Sequence, residues 1–216
     1  MKIRKIGWTS FLLSTDNISV MTDPLAVKES GNSLTKTGSD ILLFTNYSKE
    51  IKESIVSDSG LESKITSDKR EKIIEIYTPG EYEIGGLMIR RGLEDNFYII
   101  DEKNIRVVYM GGTEKEFDPQ NAKSLGDVDV LIIPIGDGDS FMSYDTLEKV
   151  ISNIDPAILI PCGYKEDSKK ELGVKSKEEF LKHFGYANVR EENYYNVAKK
   201  KVDEENQSSV EVIFLK

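Results

Sequence analysis

Thr78-Pro79-Gly80-Glu81-Tyr82-Glu83-Ile84-Gly85-Gly86 reads as a strand stop followed by the start of a β-meander. Proline fixes φ and lacks an N–H, and the glycine after it supplies a turn, so the apolar run Ile73 to Tyr77 ends here as a strand. Glu81 to Ile84 alternates in character and meets Gly85-Gly86, a two-residue hairpin turn. Leu87 to Arg91 returns, and Asn96 to Ile100 turns through Asp101-Glu102-Lys103-Asn104 into Ile105 to Met110. Strands this short and evenly spaced predict an antiparallel sheet.

Towards the N-terminus the pattern is also β. Lys2 to Ile6 alternates, and Ser10 to Thr15 and Ile18 to Thr22 flank the turn pair Asp16-Asn17. Ile41 to Thr45 is continuously apolar up to its last residue, as expected of a strand buried on both faces. A short helix is expected over Lys49 to Ser57, then a polar loop with a little helix over Ser57 to Lys72.

Towards the C-terminus the character changes. Val130 to Ile135 is a buried strand. Ser143 is placed to cap a helix that carries Leu147, Val150, Ile151 and Ile154 at helical spacing, and Asp155-Pro156 stops it. Ala157 to Ile160 follows as a strand, which makes a parallel crossover unit. Ser176-Lys177-Glu178-Glu179 is a capping box opening a helix that buries Phe180, Leu181 and Phe184 and ends at Gly185. Val210 to Leu215 is a last strand, preceded by a polar loop over Lys199 to Ser209. No linker or repeat marks a boundary. The expectation is a single α/β domain over residues 1–216, with two sheets between helices.

Composition narrows the function classes. The 216 residues carry a net charge of −9 and only small basic clusters (Arg90-Arg91, Lys169-Lys170, Lys199-Lys200-Lys201). Nucleic-acid binding needs a basic face and is not expected. No apolar run approaches a bilayer span, and the basic N-terminus leads into an alternating strand rather than a signal peptide. A cytoplasmic, membrane-free protein is expected. The single cysteine, Cys162, fits that compartment, since it has no partner for an internal disulfide. One histidine, His183, excludes any histidine-rich metal centre.

The order of the pieces resembles the metallo-β-lactamase superfamily, in particular the branch that includes ascorbate-6-phosphate lactonase and related metal-dependent hydrolases. Ile6-Gly7-Trp8-Thr9-Ser10-Phe11-Leu12 with Val20-Met21-Thr22-Asp23-Pro24 is similar to that family's opening Gly-His-Ser-Cys-Phe hairpin and its Ile-Asp-Pro end. The meander start at Thr78 to Gly86 resembles the opening of its second sheet. Tyr109-Met110-Gly111-Gly112-Thr113 stands where the family has His-Ala-Gly-Asp-Thr. Asp129 to Gly136 and Ile160-Pro161-Cys162-Gly163-Tyr164 resemble the closing strands. The resemblance implies a four-layer αββα sandwich, two mixed sheets flanked by helices.

The departures from the family pattern fall on its chemistry. Its Thr-His-x-His-x-Asp-His motif aligns with Thr45-Asn46-Tyr47-Ser48-Lys49-Glu50-Ile51. Asn46 and Ser48 then replace two ligand histidines and Glu50 the aspartate. Gly112 replaces the bridging aspartate, Gly163 the final histidine and Trp8 the hairpin histidine. What carries over is the fold, with a vestigial cleft at Trp8, Asp23, Asn46, Ser48, Glu50, Gly112, Gly163 and Tyr164. No catalytic residue, metal ligand or cofactor is assigned. The leading expectation is a metal-free, non-catalytic protein that binds a protein partner or a small molecule.

Other readings are open at this stage. A hydrolase acting on a lactone or phosphoester would need oxygen ligands such as Asp23, Glu50, Asp137 and Asp139 gathered around a hard cation. A structural subunit that self-associates as a homo-oligomer is a third. Gly111-Gly112-Thr113 as an anion cradle competes with an ordinary turn. Trp8, Tyr47, Tyr82 and Tyr164 as a cleft lining compete with plain packing, and a Cys162–His183 dyad competes with a buried thiol and a surface imidazole.

Overall fold

The computed structural model describes residues 1–113, 115–138, 140–166, 172–197 and 210–216. The chain opens with β1 (Lys2–Gly7), β2 (Ser10–Ser14), β3 (Ser19–Thr22) and α1 (Pro24–Glu29). It continues through β4 (Thr37–Gly38), β5 (Ile41–Leu43), α2 (Ile55–Asp58), β6 (Ile65–Thr66) and β7 (Ile74–Ile76). The meander is β8 (Gly80–Ile84), β9 (Leu87–Arg91), β10 (Tyr98–Glu102) and β11 (Ile105–Tyr109). A 3-10 turn (Pro119–Ser124) leads to β12 (Val130–Pro134), α3 (Tyr144–Ile154), β13 (Ile158–Cys162) and α4 (Lys177–Phe184). β14 (Val189–Glu192), β15 (Tyr195–Asn196) and β16 (Glu211–Leu215) follow.

Two mixed sheets result. One runs β15-β1-β2-β3-β5-β7 and the other β14-β16-β13-β12-β11-β10-β9-β8, with β4 and β6 as a small separate pair. Strands β8 to β11 form the antiparallel meander expected from the turn spacing. β12 and β13 pair in parallel around α3, as the crossover pattern predicts.

The alternation of side chains sorts them into three apolar layers. Ile3, Phe11, Leu13, Ile132 and Ile160 belong to the layer between the sheets. Leu131, Ile133 and Leu159 point the other way, onto Leu147, Val150 and Ile151 of α3 and Phe180 of α4. Leu12, Met21 and Leu42 cover the remaining sheet face with Val27 of α1 and Ile55 of α2. Each such aliphatic side chain contributes about 1.5–3 kcal/mol on burial, so this two-sided use of the central strands explains their unbroken apolar runs. The architecture is α/β, with helices outside two stacked sheets. No helix among the described residues is long and apolar enough to cross a membrane.

Several local expectations change. The helix expected over 49–57 is only α2, because Ser54 caps it by accepting from Ser57 N–H and Glu75 of β7 receives the N–H groups of Ile55 and Val56 at 2.8 Å. The loop expected over 57–72 also contributes β6, which pairs with β4. α1, β14 and β15 are additions to the elements expected from the sequence. The polar stretch expected over 199–209 lies outside the described residues.

Asp40 joins the start of β5 to its neighbours. Its carboxylate accepts from Ser19 N–H (2.8 Å), Ser19 Oγ (2.9 Å) and Ser67 Oγ (2.6 Å). Burial raises its pKa, but the bonds from Ser67 and Ser19 outweigh that and hold it below the ordinary 3.8. The stabilisation is therefore full above 3.8 and is lost as pH falls through the lower folded value. Asp40→Asn is expected to cost roughly 1–3 kcal/mol at pH 7. Urea melts at descending pH should show that deficit shrinking; a deficit independent of pH would contradict this role.

Candidate functional site

The loops that leave β3, β5, β11 and β12 meet at one end of the sandwich, where α/β sheets commonly bind ligands. Together with the β1–β2 hairpin tip and α1 they enclose a cleft of about 300 Å³. Its lining includes Trp8, Asp23, Asn46 and Gly112, so four of the eight residues expected from sequence come together.

Asp23 sets the floor. It follows β3 with φ 38°, ψ 59°, a left-handed backbone that aspartate tolerates better than most residues. An aspartate before Pro24 would ordinarily cap the helix, yet its side chain makes no cap bond with α1. The carboxylate turns inward instead. Oδ1 accepts from Thr45 N–H at 2.8 Å, and Oδ2 lies 2.7 Å from both Thr45 Oγ1 and the Tyr109 hydroxyl. The same hydroxyl reaches the Thr9 carbonyl at 2.8 Å.

This knot ties both sheets together, since Tyr109 ends β11 while Thr9, Asp23 and Thr45 border strands of the other sheet. Burial pushes the Asp23 carboxyl above the usual aspartate value, against the pull of the bonds from Thr45 and Tyr109. Burial and the adjacent Asp23 charge push the Tyr109 phenol well above 10.

The backbone closes tightly on the knot. A Cβ added at Gly111 would lie 2.0 Å from the Tyr109 oxygen, and one at Gly112 would lie 1.7 Å from Thr45 Oγ1. Asn46 Nδ2 donates to the Gly112 carbonyl at 2.8 Å, joining the loops after β5 and β11. Thr113 N–H is spent on the Met110 carbonyl. Gly111-Gly112-Thr113 is therefore a close turn, and this Thr113 N–H does not serve as an anion donor.

Trp8, at φ 51° in the β1–β2 hairpin, places its ring 5.7 Å from that of Phe141. Phe141 also covers Gly163, where an added Cβ would meet its ring at 2.8 Å. Gly163 thus sits behind the cleft wall. Ser48 and Glu50 are exposed and are not among the lining residues. Tyr164 lies elsewhere: it packs edge-on against Phe214, with the Lys5 ammonium 4.6 Å from its ring centre. The aromatic lining expected from Trp8, Tyr47, Tyr82 and Tyr164 reduces to Trp8. Tyr47 packs between Phe44 and Tyr77, and the Tyr82 hydroxyl meets Thr78 at 2.8 Å.

Among the described residues the expected oxygen ligands do not gather either. Asp137 pairs with Lys175, Glu50 stands outside, and Asp139 lies outside the described residues. Cys162 is fully buried between the sheets and burial pushes its thiol up, whereas His183 packs on Tyr144 and Phe184 in the helical layer. No dyad forms. Lining residues that the sequence did not point to include Glu29 and Phe141, while Thr113 lines the cleft as part of the Gly111-Gly112-Thr113 turn. Pro24 at the first helical position was a usable signal for α1, and hence for Glu29 at its end.

Zinc centres take several N, S or O donors, usually at least three from protein. Among the described residues no group of three or more His, Cys, Asp or Glu could hold a metal ion. Asp23 has both oxygens engaged, Gly112 offers no side-chain donor, and Phe141 blocks Gly163. The described residues do not fit such a centre.

Comparison with known proteins agrees with this architecture. The chain is similar over its whole length to a candidate zinc-dependent hydrolase of the metallo-β-lactamase superfamily from Thermotoga maritima, with 20% identity, 100% of both chains covered and a TM-score of 0.73. A candidate metal-dependent hydrolase from Parabacteroides distasonis shows 19% identity, with 99% of this chain and 91% of that chain covered and a TM-score of 0.60. A metallo hydrolase from Ignicoccus hospitalis shows 16% identity, 84% and 89% coverage and a TM-score of 0.54. These likenesses concern the fold. No curated protein matches the sequence. The profile of the β-lactamase superfamily domain matches residues 2–163, most of the chain, and the protein belongs to the metallo-β-lactamase superfamily.

Proposed function

We propose that this chain is a metal-free, non-catalytic member of the superfamily that acts by binding a small molecule in its cleft. On this reading it is a cytoplasmic, single-domain relative of the branch that includes ascorbate-6-phosphate lactonase. The observation that carries it is the Asp23–Thr45–Tyr109 knot. Both oxygens of the cleft-floor carboxylate are already satisfied, and Thr45 Oγ1 fills the space a side chain at position 112 would need. Metal chemistry would require a lowered-pKa water or a Lewis acid held by several ligands, and this arrangement supplies neither. The open cleft beside the knot remains available for a ligand.

A metal that binds only the folded chain must raise its melting temperature by mass action. Thermal melts with added zinc, manganese or magnesium, and with EDTA, should therefore coincide with melts in buffer. A zinc-dependent rise that EDTA reverses would overturn the proposal.

A further inference from the structure

Three observations on the cleft wall bear on the shape and polarity of a ligand. The first is backbone strain. Trp8 holds φ 51°, a left-handed conformation that bulky side chains rarely adopt, and strain of this kind collects at sites that contact ligands. The second is an aromatic corner. The Trp8 and Phe141 rings meet at 5.7 Å with their planes 41° apart, and both residues line the cleft together with Leu25 and Phe44. The third is an unmet hydrogen bond. Thr113 lines the same cleft at 2% exposure, and among the described residues no group bonds to its Oγ1. A buried hydroxyl left unsatisfied is destabilising, so its retention here fits a partner that arrives with a ligand. The Tyr109 hydroxyl, donating to the Thr9 carbonyl at 2.8 Å, holds the hairpin tip that carries Trp8 close to the loop that carries Thr113.

We propose that the cleft takes a planar aromatic ring carrying one hydrogen-bond donor, as in a phenol. The ring lies against Trp8 and Phe141, where offset or edge-to-face contact adds to the burial of its surface. The ligand's hydroxyl donates to Thr113 Oγ1, and the buried orphan is thereby satisfied. A cleft of about 300 Å³ stands at the small end of ligand pockets and suits one or two rings. The assignment rests on the ligand-binding reading above and adds the ligand's shape and polar group.

Trp8 is the single tryptophan of the chain, so its emission reports directly on the ring contact. Titration of the full chain with phenol, anisole and cyclohexanol, followed by calorimetry and by that emission, tests the assignment. Phenol should bind about tenfold more tightly than anisole, which lacks the donor, and several-fold more tightly than cyclohexanol, which lacks the flat ring. Phenol at saturation should change the Trp8 emission. Thr113→Val keeps the side-chain shape and deletes the orphan hydroxyl. It should raise the melting temperature of the free protein by about 2–4 °C while reducing phenol to the affinity of anisole, an opposition that a purely structural threonine would not show. Trp8→Asn, whose side chain tolerates the left-handed backbone, should keep the fold and weaken phenol and anisole alike.

Phenol binding no more tightly than anisole or than cyclohexanol would overturn the assignment. So would no binding by any probe, an unchanged Trp8 emission at saturation, or an unchanged phenol affinity or a lowered melting temperature in Thr113→Val. Binding of the probes without these preferences would remove the ring-and-donor chemistry and leave ligand binding standing. The metal-free reading fails separately, by a zinc-dependent thermal shift in the same preparation.

Discussion

Gly112→Ala is expected to destabilise the protein by about 3 kcal/mol, lowering the melting temperature by roughly 6–12 °C. The added methyl would fall 1.7 Å from Thr45 Oγ1 and 2.4 Å from Thr45 Cβ, so either the loop after β11 or Thr45 must move. Movement of Thr45 breaks its bonds to a buried carboxylate, and movement of the loop disturbs the Asn46 bond to the Gly112 carbonyl. Gly38→Ala is the matched control. Its added Cβ has only an ordinary contact at 3.9 Å, and its cost should stay within about 0.5 kcal/mol. In a double-mutant cycle, Gly112→Ala with Thr45→Ala should cost less than the sum of the two, because both disrupt the same contact. Additive costs would show that the glycine serves another purpose.

Asp23→Ala should cost about 3 kcal/mol or more. Thr45 loses the acceptor for both its N–H and its hydroxyl, and alanine must adopt a left-handed backbone. Asp23→Asn keeps one acceptor oxygen and the left-handed tolerance, so its cost at pH 7 should be about half as large. The pH dependence then separates charge from shape. The folded pKa of Asp23 lies above its ordinary 3.8 because burial penalises the ionised form. Protonation therefore favours the folded state: the contribution of Asp23 grows as pH falls through the raised folded value and levels off below 3.8. The deficit of Asp23→Asn relative to wild type should widen over that window, the reverse of Asp40→Asn. Chemical denaturation at descending pH measures both, and parallel curves for the two variants would refute the assignment.

The strand framework was legible in the sequence because each signal was local. Thr78-Pro79-Gly80 stops a strand by removing a donor, Gly85-Gly86 turns a hairpin, and Ser176 with Glu179 caps a helix through paired bonds that the structure shows. The short elements were harder to read. α1 has six residues and no side-chain cap bond, and α2 starts where it does partly because Glu75, twenty residues away in sequence, receives its first N–H groups.

The cleft was half legible for a related reason. Trp8 and Asp23 directly follow β1 and β3, so sequence position fixes their place, and the Asn46 bond to the Gly112 carbonyl brings together the loops after β5 and β11. Ser48 and Glu50 lie further along irregular chain after β5, where alternation no longer says which way a side chain turns, and Tyr164, just past β13, turns onto Phe214 instead of the cleft. Phe141 and Thr113 matter through long-range contact: one covers Gly163, and the other is buried without a hydrogen-bond partner. No spacing rule reports either property.

Elemental analysis of the purified, undialysed protein tests the metal-free reading most directly. Zinc, iron and manganese should be present well below one atom per chain, and the chain should remain folded after chelation. A transition metal at one or more atoms per chain, retained through gel filtration and lost together with the fold on chelation, would contradict it.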